Sequence, residues 1–211
     1  MKNIAVIGAT GSAGKEVVRL ALSLNYKVTV VARNPARIQP ENNLTIVKGD
    51  VMDIESLKDA FTNIDVVISC FGPANGRKSG NIMSVGTSNL VQACEESGVG
   101  HFIFMSGILQ TDGSELTLLN RFGIRFIRLF YKEVYNDKII AEATIQTSSL
   151  NWIIVRAVGL TKSKPTGKYK AGISIRVSPF NPMSFSDLAL CLLDAIENAA
   201  WTRKIINAGK T

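Results

Sequence analysis

Three glycines stand at positions 8, 11 and 14 in the stretch NIAVIGATGSAG, straight after an apolar run. A glycine ending a strand permits a sharp turn, a second lets the backbone approach a pyrophosphate, and a third lets the next helix pack close to the sheet. That helix's N-terminus adds unpaired N–H groups and a partial positive charge. The spacing is GxxGxxG, with a strand-like run before it and a helical pattern after it. This context suits a diphosphate; the alternative is a glycine-rich turn without a ligand. Arg33 stands directly after the next apolar run, where an NAD-selective site places a carboxylate for the ribose 2′-hydroxyl. With Arg37 it suits the 2′-phosphate of NADP, unless the two arginines are simply solvated. Asp50, in KGDVMD, reads as an acceptor for an adenine amine or as a plain loop or cap aspartate.

These residues need elements to hold them, and the chain alternates strand-like and helix-like segments. Residues 3–7, 27–32, 44–48, 64–70, 101–106 and 151–157 are apolar and β-branched, and 203–207 reads as a last strand. Helical patterns cover 12–24, a short stretch at 53–61 with Asp53 as N-cap, 82–97 ending at Gly98, about 133–149, and a segment from Ser184 or Ser186 to about 198. Strands apolar on both faces and alternating with helices predict an α/β fold: a Rossmann-type, doubly wound, mainly parallel sheet with helices on both faces. One domain is expected over 1–211, with a small substrate-side region formed by about 109–135 and 161–182, the latter a loop or hairpin.

Composition narrows the function classes. With 46% hydrophobic and 19% charged residues the chain is expected to be globular rather than disordered. No apolar run approaches the roughly 20 residues of a spanning helix, and the N-terminus does not read as a secretory signal, so a cytoplasmic location is expected. Cys70, Cys94 and Cys191 are scattered, without CxxC, and read as buried reduced thiols. One histidine, His101, and no GxSxG argue against a metal site and a Ser-His-Asp triad. The net charge of +7 comes from cations spread along the chain, so no nucleic-acid partner is expected.

GATGSAG at 8–14, VARNPARI at 31–38, KGDVMD at 48–53, HFIFMSG at 101–107 and SSLNWIIVRAVGLT at 148–161 resemble the atypical short-chain dehydrogenases/reductases, in the NmrA-like, biliverdin reductase B-like group. The resemblance covers nearly the whole chain, to SFSDLA at 184–189. It implies that Gly8, Thr10, Gly11, Ser12, Ala13 and Gly14 hold the pyrophosphate, Arg33 and Arg37 the adenosine phosphate, and Asp50 and Val51 the adenine. It implies that Gly72 lets a ribose pass close to the backbone, that Ser106 occupies the active-site serine or threonine position, and that 157–160 flanks the nicotinamide. The implied cofactor is NADP, with NAD possible. Two departures stand out. The family's catalytic members place tyrosine four residues before lysine; four before Lys138 is Val134, while Tyr135 lies three before and Tyr131 seven before. The common proline after Arg156 is Ala157.

Without that tyrosine, a carbonyl/alcohol dehydrogenase lacks its proton donor. A planar, conjugated acceptor such as a flavin, quinone or tetrapyrrole relaxes the demand, because it delocalises the arriving electrons and takes a proton from water. The candidate catalytic residues are Ser106, Lys138 and Tyr135, with Lys138 bonding ribose hydroxyls or merely solvated. The aromatic and basic segment LNRFGIRFIRLFYKEVY at 119–135 reads as core, as a lid, or as a face for a partner. The expected function is NAD(P)H-dependent reduction of an aromatic or conjugated small molecule by a monomer or homodimer; the alternative is a non-catalytic dinucleotide sensor. The absent acid after residues 27–32 predicts that NADPH binds more tightly than NADH and that Arg33→Asp reverses the order. Titration calorimetry checks this, and equal affinities would remove the argument.

Overall fold

The computed structural model describes residues 2–73, 80–111, 118–178 and 180–211, with side chains left aside at 118–122. The apolar runs form strands β1 (Asn3–Ile7), β2 (Lys27–Ala32), β3 (Leu44–Lys48), β4 (Val66–Ser69), β5 (His101–Gly107) and β6 (Trp152–Ala157). Short strands β7 (Leu160–Thr161), β8 (Lys170–Gly172) and β9 (Met183–Ser184) follow, then β10 (Lys204–Gly209). Helices are α1 (Ser12–Ser23), α2 (Ile54–Ala60), α3 (Ile82–Glu96), α4 (Leu118–Phe130), α5 (Lys132–Thr147) and α6 (Phe185–Asp194).

The main sheet runs β3-β2-β1-β4-β5-β6-β10-β8, parallel except for the antiparallel β10–β8 edge. The expected doubly wound architecture is the observed one. Alternate residues of each strand enter two cores. Ile4, Val6, Ile68, Ile103 and Val155 pack toward α1 and α6, whereas Ala5, Ile7, Val67, Phe102, Phe104 and Ile154 pack toward α2, α3 and α5. The chain winds outward in both directions from β1 and β4, so a crevice must open between their carboxyl ends. Among the described residues no helix is long and apolar enough to cross a membrane.

Capping fixes where helices stop. Gly98 takes φ +68° beyond α3, with Val99 N–H donating to Cys94 C=O at 2.9 Å and Gly98 N–H to Glu95 C=O at 3.3 Å, the paired bonds of a Schellman cap. The N-terminus of α3 is capped from a distance: Met83 and Ser84 N–H each donate to the Asp137 carboxylate of α5 at 2.9 Å. Five expectations are corrected. Asp53 precedes α2, but its side chain does not cap it; Ser56 donates to Asp53 C=O instead, at 2.7 Å. A separate helix, α4, precedes α5 with a break at Tyr131. α6 ends at Asp194, short of 198, and the last strand runs on to Gly209. Within the described part of 161–182 there is no free-standing hairpin, because β8 extends the main sheet while β7 pairs with β9.

That segment is pinned by Asp187, whose carboxylate accepts from Thr166 N–H at 3.0 Å, Gly167 N–H at 2.9 Å and Thr166 Oγ1 at 3.0 Å. Ser184 caps α6 by accepting from Asp187 N–H at 2.9 Å. Burial pushes the Asp187 carboxyl up, but these bonds, with the Ser184 hydroxyl, outweigh it and hold it below the ordinary aspartate value. A depressed folded-state pKa means stability that is full above the unfolded value and lost as pH falls through the folded one. Asp187→Asn is therefore expected to cost about 2 kcal/mol near neutrality and to flatten the loss of stability below about pH 4. Urea unfolding at pH 7 and pH 3 measures both; an unchanged acid limb would contradict the assignment.

Candidate functional site

Gly8 is where three backbone segments meet. It takes φ +82°, and an added Cβ would stand 2.7 Å from Phe71 N and 2.8 Å from Cys70 C=O at the end of β4. Gly14, one helical turn into α1, is pressed against the same residue: its Cβ would collide with Gly8 C=O and lie 2.8 Å from Ala9 Cα. The intervening Gly11 is different. It donates its N–H to Gly8 C=O at 3.0 Å, sits at the N-cap of α1 without a side-chain cap, and would bring a Cβ within 4 Å of Gly8 C=O alone, at 3.3 Å. So Gly8 and Gly14 set the packing, and Gly11 faces open space with uncapped amides behind it.

That space is a cleft of about 810 Å³, lined by Gly8, Thr10 and Gly11 on one side, Arg33 and Arg37 on another, and Asp50, Val51, Cys70, Phe71 and Gly72 among the rest. Ser12 is exposed, whereas Ala13 and Gly14 are buried in the α1 packing, and none of the three lines the cleft. Gly72 fits a ligand's close passage, since a Cβ there meets nothing within 4 Å. The volume lies in the roughly 300–1,000 Å³ range of small-molecule sites. A dinucleotide fits these residues: backbone amides at the α1 N-terminus for the phosphates and two arginines at the far end.

The arginine end of the cleft is built by short-range bonds. Residues Pro35–Arg37 form one 3₁₀ turn, closed by Arg37 N–H on Asn34 C=O at 3.3 Å, which returns Arg37 to the cleft beside Arg33. Asp50 spends one carboxylate oxygen on Met52 N–H at 3.0 Å. Val51 is held by Asn89 Nδ2, which donates to its carbonyl at 2.8 Å, and α3 comes this close because Gly86 carries no side chain. Lys48, missed in the sequence, pairs with Ala32 in the β2–β3 register. It lines a smaller cavity of about 270 Å³ that shares Arg33, Gly49 and Asp50 with the cleft. Its position at the end of β3, in the KGDVMD stretch, was the available clue. Cys70 borders the cleft, but burial pushes its thiol up to about 12, so it is no nucleophile at neutral pH.

The end of β5 holds a second cluster, outside the cleft lining. Ser106 donates to Glu142 Oε1 of α5 at 2.5 Å, and Arg156, its register partner on β6, donates to Glu142 Oε2 at 2.7 Å. Glu142 and Arg156 are functional candidates that the sequence reading missed, since their partnership joins α5 to β6. Lys138 is half-buried, and desolvation pulls its ammonium below the ordinary lysine value against the opposing charge of Glu142. The Arg128 guanidinium lies 4.7 Å from the Tyr135 ring centroid. Arg128 also donates to Leu109 C=O at 2.8 Å and to Thr111 C=O, tying α4 to the loop after β5. On α4 Ile124 is buried, whereas Phe126 and Phe130 are 63% and 59% exposed. These two phenylalanines are therefore not core, and Phe122 and Arg121 lie outside the described side chains.

Comparison with known proteins agrees with this geometry. The family model described as NAD(P)H-binding matches residues 8–199. The chain belongs to the NAD(P)H-binding family. An uncharacterised chloroplastic protein of Arabidopsis thaliana is 31% identical over 79% of this chain, which spans 62% of that relative's length. A short-chain dehydrogenase/reductase of Veillonella parvula, solved in complex with NADP, superposes with a TM-score of 0.80 at 19% identity, covering 99% of this chain and 94% of that one. ChuY, an anaerobilin reductase of Escherichia coli O157:H7, reaches 0.83 at 18% identity, covering 99% and 97%. The solved structures share the fold, and the family to which the chain belongs takes a nicotinamide dinucleotide as its cofactor.

Two glycine variants separate binding from folding. Gly11→Val is expected to reduce NADP affinity more than tenfold while leaving the unfolding free energy within about 1 kcal/mol. Gly14→Val is expected to destabilise the fold itself by about 3 kcal/mol or more. Fluorescence titration and denaturant unfolding read the two effects; undiminished affinity in Gly11→Val would contradict the loop assignment.

Proposed function

We propose that this NAD(P)H-binding oxidoreductase is an NADPH-preferring reductase of a planar, conjugated small molecule such as a flavin or quinone. The observation that carries the preference is the adenosine end, where Arg33, Arg37 and Lys48 gather at the ends of β2 and β3 and Ala32, the last residue of β2, is followed by arginine rather than a carboxylate. Arginine forks match a phosphate bidentately, and lysine adds a point charge. When bound, the dihydronicotinamide supplies a hydride. The chain's own part is positional: the α1 amides and the arginines fix the dinucleotide, Gly72 lets it lie close to the end of β4, and α4, latched by Arg128, stands beside the loop after β5.

The lack of a positioned tyrosine supports a conjugated acceptor. Tyr135 is stacked under Arg128, and the Ser106 proton is engaged by Glu142. An acceptor that spreads two electrons over a ring system does not require either as an acid. The structural relative named as an anaerobilin reductase supports a small-molecule acceptor. The sensor reading draws on one observation, that Ser106 lies outside the cleft lining.

The decisive assay is NADPH oxidation at 340 nm with FMN, riboflavin and menadione, paired with dinucleotide binding. Turnover with at least one acceptor, faster with NADPH than with NADH, is expected. Tight dinucleotide binding with no turnover on any acceptor would replace the reductase by the sensor.

A further inference from the structure

The 24 cations of the chain are spread along it, but the 17 carboxylates are not. Residues 118–132 and 160–186 hold nine lysines and arginines and no aspartate or glutamate, while everything else carries 15 cations against 17 carboxylates. The whole positive excess of the chain therefore lies in two segments. They leave the sheet at one edge, because α4 follows β5 and residues 160–186 follow β6, its parallel neighbour. They also touch: a Cβ at Gly123 of α4 would stand 2.8 Å from the ring of Phe180, in the connection between β8 and β9.

α4 turns one face to the body of the protein, with Ile124 buried and Arg128 bonded to Leu109 C=O and Thr111 C=O. The opposite face is apolar and bare. Leu129 is 71% exposed, and Phe126 and Phe130 meet edge to face with ring centroids 5.1 Å apart. Phe180, 58% exposed, continues this crest across the Gly123 contact. Exposed cations stand around it: Arg125 one turn before Leu129, Lys132 just beyond Phe130, and Arg176 four residues before Phe180. The first carboxylate along the chain, Glu133, accepts from Gly80 N–H at 3.1 Å.

A helix with an apolar crest and a cationic border has the make-up of an interfacial helix. We infer that α4 and the β8–β9 connection dock this protein on an anionic phospholipid bilayer, with Phe126, Leu129, Phe130 and Phe180 at the headgroup boundary and Arg125, Lys132 and Arg176 against anionic headgroups. The long lysine and arginine stems suit that position, since they lie along apolar surface while their charges reach phosphate. A second copy of the chain is disfavoured as occupant, because it would bring one positive surface against another. A nucleic acid would answer the cations and leave Leu129, the most exposed of the four, with nothing to stack on it. The docking is independent of the reductase reading.

Co-sedimentation with sucrose-loaded vesicles tests it, using phosphatidylcholine alone and phosphatidylcholine with one-third phosphatidylglycerol. Binding to the anionic vesicles is expected to be about tenfold tighter or more and to weaken as salt is added. The triple variant Phe126→Gln, Leu129→Gln, Phe130→Gln is expected to lose about tenfold in affinity or more. Arg125→Glu with Lys132→Glu is expected to erase the preference for the anionic vesicles. Leu24→Gln changes an exposed leucine just after α1 instead and is expected to bind as the wild type does. Unchanged NADP⁺ affinity in every variant shows that each is folded. No vesicle binding, equal binding to both compositions, or a loss in Leu24→Gln equal to that of the triple variant would overturn the inference. So would a dimer, or a complex with a single-stranded oligonucleotide, that the triple variant abolishes while vesicle binding stays as it was.

Discussion

Everything in this structure leans on the contact made at Gly8, where the ends of β1 and β4 and the first turn of α1 come closer together than any side chain would allow. A Cβ at Gly8 would press on the Cys70–Phe71 backbone, and one at Gly14 would press on Gly8 itself. The sheet's change of winding direction leaves a crevice between β1 and β4, and this backbone contact determines how narrow its floor is. The amides of the α1 N-terminus are left without side-chain partners at the same point. Packing and the state of the helix terminus are therefore one arrangement: the glycines that permit close approach also leave the first turn of α1 without a side-chain cap.

The cleft and the cluster at the end of β5 differ in chemistry because different elements build them. The arginine end of the cleft comes from strand-to-loop turns at β2 and β3, stabilised by local backbone bonds, and carries exposed arginines. The β5 end comes from three separate elements, with Ser106, Arg156 and Glu142 brought together across the β5–β6 register and the face of α5. An ion pair at such a place contributes little net stability, because desolvation offsets attraction. Its consequence is orientation, since it leaves one serine with one hydrogen-bonding role. α5 also caps α3 through Asp137, so the helix that holds Glu142 is fixed by a second charge-assisted contact.

Much of the fold was legible in the sequence because strong local rules agreed with the global one. β1, β2 and β3 have the bounds that their β-branched runs predict, and Gly98 ends α3 as a positive-φ residue must. Boundaries were lost where tertiary contacts decide them. β8 has little periodicity of its own and is held by pairing with β10 and by Asp187, which lies far along the chain from Thr166. Asp53 has the right residue type for a cap, but Ser56 makes the bond. Of the residues lining the cleft, Gly8, Gly11, Arg33, Arg37 and Asp50 stand in motifs that the sequence shows directly, and Val51 and Gly72 came from the family resemblance. Glu142 and Arg156 were not, because their partnership joins a helix to a strand and no spacing in the chain encodes it. Phe126 and Phe130 recur at a helical interval that suits a core, yet α4 turns them outward and buries Ile124.

The central claim is that uncapped backbone amides at the start of α1 hold the diphosphate. The most direct measurement is a titration of ¹⁵N-labelled protein with NADP⁺, followed residue by residue. The Ser12 and Ala13 amides are expected to shift first and furthest, saturating at one equivalent. Unmoved amides at both positions, with the shifts gathered elsewhere, would contradict the claim.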